Sequence, residues 1–473
     1  MNLEIAFVAL VLVIGFYMLW NIGANDVANA IGTSVGSGSL SMKKAIVVAA
    51  LFEFLGASFF GGHVSKTIQS GLIDSTDFIT DPNTIIIGMI SALLATSICL
   101  QGANLKGWPI STTHAIVGAI VGFGVVAGGM DAVNWGVIGS VASSWVISPV
   151  ISAITAFCFF KIVQRFILFA RYPVLATKRL FPFFVFIVTF TFFTTILMGR
   201  FSGDYSYIWA FSISATIGLM AYVFIQFWRP SSSDEHEELS VHQQKLDSLQ
   251  EALKNLKLAQ LFASQYENDE FQKLVDKTKT LTREVRKKTN IRSPLTHDYN
   301  VVEKLVSYLQ ILSACCVAFG HGANDVANAV GPIAAVFKIL FDPQNLTKAT
   351  NIPFWLLVFG GVGIVIGLAT FGWRVIETIG KKITELTPTR GFCAEFGAAA
   401  TILVASKLGL PISTTHCLVG AVLGVGFARG LAALNLSMIK DIGLSWLVTV
   451  PSSAALSMGI FFVVDLVAKQ FGY

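Results

Sequence analysis

Charge is the scarcest feature of this chain. Only 13% of its 473 residues are Asp, Glu, Lys or Arg, while 54% are hydrophobic and the mean hydropathy is +0.69. A soluble chain of this length would form roughly two to four domains and would carry far more charge, so the class is a polytopic, all-α membrane protein. No basic stripe interleaved with aromatics occurs, which removes nucleic acid from the expected partners and leaves the lipid bilayer. The six cysteines (Cys99, Cys158, Cys315, Cys316, Cys393 and Cys417) show neither a Cys-X-X-Cys pair nor metal-ligand spacing, and buried thiols are expected. The first 20 residues lack a basic segment and a small-residue cleavage site, so a retained helix is expected there. Nothing calls for a cofactor.

What the chain does have, it has twice. Gly23-Ala-Asn-Asp-Val-Ala-Asn-Ala-Ile-Gly32 returns as Gly322-Ala-Asn-Asp-Val-Ala-Asn-Ala-Val-Gly331, and Pro109-Ile-Ser-Thr-Thr-His114 returns as Pro411-Ile-Ser-Thr-Thr-His416. Two motifs in the same order mark an internal duplication. On a helix, Asn25, Asp26 and Asn29, like Asn324, Asp325 and Asn328, share one face. Carboxylates and amides inside an apolar run are costly unless they face a cavity or bind something.

Residues 1–160 hold five apolar segments and form the first transmembrane repeat, and residues 161–228 hold two linking spans. Residues 229–304 carry 13 of the 33 basic and 13 of the 28 acidic residues and read as a cytoplasmic helical loop. Within it Leu239, Leu246, Leu249, Leu253 and Leu256, then Leu274, Thr278, Leu281 and Val285, keep helical spacing and predict a hairpin. Residues 305–473 repeat the first five segments. With Lys43, Lys44, Lys161, Arg165, Arg171, Lys178 and Arg179 inside, as the positive-inside rule requires, about twelve spans place the acidic loop of Asp74, Asp77 and Asp81 and both termini outside. The turn at Gly203 and Asp204 joins the two linking spans. The second repeat is then inverted, which also puts Arg374, Lys381, Lys382, Arg390, Arg429 and Lys440 inside.

Inverted repeats with polar sites in discontinuous helices are the architecture of alternating-access transporters. The start of a helix is an anion site, and each hexapeptide opens one: Ser111, Thr112 and Thr113, with Ser413, Thr414 and Thr415, offer hydroxyls beside unpaired N–H groups. The same serines and threonines can also act as caps. Asp26, Asp325, Glu53 and Glu395 have no Lys or Arg near them in sequence. At ~5 Å and an effective dielectric of ~20, each would repel a bound anion by roughly 3 kcal/mol, so a cation must bind with the anion. Carboxylate and amide oxygens suit sodium; for Glu53 and Glu395 a protonated or paired carboxyl is the alternative reading. His114 and His416 read as hydrogen-bond donors rather than proton carriers.

The doubled Gly-Ala-Asn-Asp-Val-Ala-Asn-Ala and doubled Pro-Ile-Ser-Thr-Thr-His resemble the signature of the inorganic phosphate transporter (Pit) family, over both transmembrane halves. The resemblance implies a symporter, not an enzyme, that imports phosphate with sodium across the cell membrane and commonly forms a homodimer. It implies that Asn25, Asp26, Asn324 and Asp325 hold cations and that Ser111 to Thr113 and Ser413 to Thr415 hold phosphate, and Glu53 and Glu395 match acidic positions of sodium-coupled members. The amides of Asn29 and Asn328, which cannot carry a coupling proton, are expected to join them as sodium ligands. Proton-coupled phosphate or metal-phosphate symport, and sulfate permeation by the same family, are the rival readings. Sodium-coupled members can carry a further Glu on the third span, where this chain has Met89 and Ile90, which leaves the ion number open.

Overall fold

The structure, a computed structural model, describes residues 3–73, 82–198, 205–228, 248–260, 265–288, 294–342, 351–373, 375–376, 386–430 and 436–470. The acidic loop of Asp74, Asp77 and Asp81, the turn at Gly203 and Asp204, Leu239 and Leu246, and Arg374, Lys381 and Lys382 lie outside the described residues. Two compact units emerge, one of Met1–Ala221 with Glu303–Tyr473 and one of Tyr222–Val302.

The first half supplies helices α1 (Leu3–Gly36), α2 (Met42–Phe60), α3 (Gly62–Ser70), α4 (Pro82–Lys106), α5 (Thr112–Gly128), α6 (Trp135–Val163), α7 (Pro173–Leu197) and α8 (Tyr205–Phe227). Then follow α9 (Gln265–Lys288), α10 (Pro294–Asp325), α11 (Ala327–Phe341), α12 (Phe354–Phe371), α13 (Pro388–Lys407), α14 (Thr414–Arg429) and α15 (Leu436–Gln470). No strand occurs among the described residues beyond an isolated bridge between Ile73 and Val133. Among the described residues, eight helical stretches are long and apolar enough to cross a bilayer, with α2 and α3, bent by 60° at Gly61, making a ninth. The other three of the twelve expected segments fall on α5, a shorter apolar helix, and on α13 and α14, none of which is among the nine. The all-α, multi-span class stands.

The two halves pack by exchanging partners. At Gly118 and Gly122 of α5 an added Cβ would strike Val450 and Ala454 of α15, and at Gly420 and Gly424 of α14 it would strike Pro149 and Ala153 of α6. Likewise Gly23 on α1 lies against the backbone of Ile364 on α12, while Gly322 on α10 lies against that of Glu53 on α2. Small residues let helix backbones approach closely where lipid offers no hydrophobic drive. Each half thus completes its core only with helices of the other.

Three expectations need correction in detail. Only the second motif interrupts its helix: α1 runs straight through Asp26, whereas α10 ends at Asp325 and α11 begins at Ala327. The interruption is confined to Val326, whose own dihedrals are helical, and α11 runs on through Pro332, which stands where the first copy has Thr33. In the unit Tyr222–Val302, Gln260 at the end of residues 248–260 donates to Asn268 and Gln272 of α9, both at 2.9 Å, which joins two helices as expected. The stripe on α9 is nonetheless exposed at Leu274 and Leu281, and Val275 is the buried residue there. All six thiols are free, but Cys158 is exposed on the long apolar α6, and Cys99 and Cys315 are half-buried; only Cys316, Cys393 and Cys417 are buried.

Candidate functional site

Each hexapeptide is an extended lead into a short helix. Ser111 and Ser413 have extended backbones, and their hydroxyls accept from the N–H of His114 and His416, both at 3.2 Å, as N-caps. Asn25 and Asn324 fasten the same leads. Asn25 donates to Asn104 at 2.6 Å and to the Trp108 carbonyl at 3.1 Å, and its oxygen accepts from Ile110 N–H; Asn324 donates to Ser406 at 3.2 Å and to the Leu410 carbonyl at 3.1 Å. These four residues therefore shape the helix starts from both repeats in the same way.

The two starts meet, with the Thr113 hydroxyl donating to the Ile412 carbonyl at 2.9 Å. Around that meeting point the motifs cross over. Asn29 of the first motif donates to Thr415 of the second hexapeptide at 2.7 Å and to Asp26 at 2.8 Å. Asn328 of the second motif donates to Thr112 and Thr113 of the first hexapeptide, each at 3.2 Å. Thr414 donates to Asp325 at 2.8 Å and Thr415 to Asp26 at 3.4 Å. His114 and His416 pack on each other with ring centroids 4.3 Å apart, and His114 also stacks on Trp145 at 3.9 Å. Asp26, Asn29, Asp325, Asn328 and the four threonines thus form one buried cluster.

A residue that the motif reading passed over sits beside this cluster. His321 is fully buried, with Nδ1 3.1 Å from Glu53, Nε2 3.0 Å from Asp325, and Nε2 4.0 Å from Asp26. The ring thus lies within ion-pair distance of three carboxylates, one nitrogen facing Glu53 and the other Asp325 and Asp26. The first repeat has Ile22 in this place, so a search for duplicated residues could not find it; the signal was the break in the duplication just before Gly322. Glu53 joins the cluster through this ring. Glu395 does not: its Oε1 accepts from Thr33 at 2.5 Å, Ser34 at 2.7 Å and Gln310 at 3.1 Å, and its Oε2 from Ser313 at 2.7 Å.

Because the Asn29 and Asn328 amides donate inward to oxygen, their carbonyl oxygens turn elsewhere. Neither oxygen, nor those of Asn324 Oδ1 and Asp325 Oδ1, has a protein donor, although all are buried. Buried oxygens of this kind are costly unless satisfied, and a hard cation satisfies them. One ligand atom from each of Asp26, His321 and Asp325 lies within 4.8 Å of the others, close enough for a single ion to touch all three. The donor set fits a cation, and the adjoining helix starts fit an anion.

A duplicated helical membrane protein whose paired helix starts meet beside a buried acidic cluster has the architecture of a transporter, not of an enzyme. The chain belongs to the phosphate transporter family, whose model matches residues 22–457. It is 43% identical over 451 residues to the chloroplastic inorganic phosphate transporter 2-1 of Arabidopsis thaliana, covering 94% of this chain and 70% of that one. It is also 43% identical over 453 residues to a provisionally named phosphate permease of Chlamydia pneumoniae, covering 96% of this chain and 97% of the other. A solved structure described as the sodium-dependent phosphate transporter aligns with a TM-score of 0.77 at 35% identity, covering 98% of this chain and 99% of that one.

Proposed function

We propose that this phosphate transporter is a sodium-coupled symporter working by alternating access, and that its single substrate site is the buried cluster where the motifs cross over. Asn29 reaching Thr415, and Asn328 reaching Thr112 and Thr113, carry the reading: neither repeat can assemble a site alone. Phosphate takes the N–H groups and threonine hydroxyls of both helix starts, while Ser111 and Ser413 cap them and Asn25 and Asn324 hold their leads. Asp26, Asn29, Asp325 and Asn328 supply cation oxygens, with Glu53 acting through His321. Glu395 serves the cation away from this centre.

Charge supports the coupling. Even a doubly protonated His321 leaves three carboxylates with two uncompensated negative charges, to which phosphate adds its own. In a poorly screened interior, binding phosphate without cations would cost several kcal/mol, about 3 for each carboxylate ~5 Å away. The purified protein should therefore bind labelled phosphate at least tenfold more tightly in sodium than in an equal concentration of choline, with sulfate competing weakly. Equal binding in the two salts would remove sodium from the site. His321 between Glu53 and Asp325 favours a second reading, proton coupling, in which binding would follow pH and ignore sodium.

The orientation proposed is a plasma-membrane protein with both termini outside and residues 229–304 in the cytoplasm; homodimerisation is part of the same proposal. Lys277→Cys in α9 should be labelled by an impermeant thiol reagent only from the cytoplasmic side, and labelling from outside in intact cells would reverse the assignment.

A further inference from the structure

The chain contains its own control experiment. Register through the repeated motifs pairs Thr33, Ser34, Gln310, Ser313 and Glu395 of one repeat interface with Pro332, Ile333, Val11, Ile14 and Leu93 of the other. The first set forms a polar nest around a buried carboxylate, and the second is apolar at every position. Even the space is exchanged. Gly391 leaves room for the Gln310 side chain, which an added Cβ there would strike, whereas in the other repeat the positions in register, Met89 and Val11, are both buried apolar side chains. The interface therefore packs without a nest, and a buried carboxylate with its donors is not needed to build it.

The nest continues to the surface on one side. The hydroxyls of Ser37 and Ser39, half-buried in the turn between α1 and α2, donate to the Gln310 oxygen at 2.7 and 2.6 Å. The Gln310 amide donates to Glu395, and Thr33 on the same carboxylate lies about one helical turn beyond Asn29. Oxygen atoms thus run from the turn just before Lys43 and Lys44 of α2 to the central cluster, over about 10 Å of α1. Gln310, fully buried, stands between the serines and the carboxylate.

We propose that this file is the path by which the coupling cation travels between the central site and the Lys43 face of the membrane, with Gln310 as its gate, and that the apolar counterpart offers no equivalent file toward the other face. The path accepts a small monovalent cation, because each step offers hydroxyl, amide or carboxylate oxygen. This rests on the cation-coupled reading above. It also gives Glu395 a part in transit instead of in the central site.

The test separates rate from equilibrium. Gln310→Val installs the counterpart's own residue. Sodium-dependent phosphate binding by the purified variant should stay within threefold of the parent, while phosphate flux in proteoliposomes falls at least tenfold. Ser37→Ala with Ser39→Ala, in a half-exposed turn that tolerates substitution, should slow flux at least fivefold with binding equally preserved, which keeps the test open if Gln310→Val does not fold. Parental flux in the serine variant, or loss of phosphate binding in folded Gln310→Val, would overturn the path. A parent whose phosphate binding ignores sodium would instead fail the coupling reading itself, before any variant is compared.

Discussion

Asp325→Asn should reduce sodium-driven phosphate accumulation to the level of protein-free vesicles while leaving the protein folded. One oxygen of Asp325 is held by Thr414 at 2.8 Å and faces His321 at 3.0 Å, and the other has no protein donor. Asn has nearly the same shape, so packing is preserved and the charge alone is lost. At ~4 Å and an effective dielectric of ~20, that charge attracts a monovalent cation by about 4 kcal/mol, close to a thousandfold in affinity. His321 would also lose one of its three acidic neighbours, and the cluster would hold less negative charge to attract a cation. Size-exclusion elution reports folding, and accumulation above a tenth of the parental level would show that Asp325 is not a cation ligand.

The second large effect concerns phosphate itself. Thr414→Val and Thr112→Val keep the side-chain shape and remove the hydroxyl. A lost hydrogen bond to a charged group costs about 1.5 to 3 kcal/mol, so each variant should raise the phosphate constant roughly 10- to 100-fold. Ser413→Ala should act differently. Its hydroxyl accepts from His416 N–H as a cap, so its loss should cost about 1 kcal/mol of stability and leave phosphate affinity closer to the parent. If Thr414→Val bound phosphate like the parent, the threonine would be a structural partner of Asp325 only.

The multi-span class and the location of the central cluster were legible in the sequence because both are written in repetition: apolar runs set the spans, and identical motifs in the same order set the site. What repetition could not show was whatever occurs once. His321 stands where Ile22 stands in the first repeat. Glu53 lies at the helix crossing occupied by Ile364 in the other repeat, and Glu395 pairs in register with Leu93. The sequence reading placed both glutamates with the motifs because buried acids invite one common site. The fold separates them, since α13 carries Glu395 to a nest with Thr33 and Ser34 while His321 draws Glu53 toward Asp325. The fastening roles of Asn25 and Asn324 were also hidden, because their partners Asn104, Trp108, Ser406 and Leu410 lie about 80 residues away along the chain.

These single-copy residues matter to mechanism. A perfectly duplicated site would treat both membrane faces alike, and it is the unpaired His321, Glu53 and Glu395 that distinguish them. Sodium and proton coupling meet in this asymmetry, since amide oxygens favour a metal ion and the imidazole between two acids can hold a proton. The measurement that decides most directly is phosphate accumulation in proteoliposomes under an inward sodium gradient, with pH equal on both sides and the membrane potential clamped. Sodium coupling predicts accumulation well above equilibrium that collapses when choline replaces sodium. Accumulation that requires a pH gradient and is indifferent to sodium would contradict it.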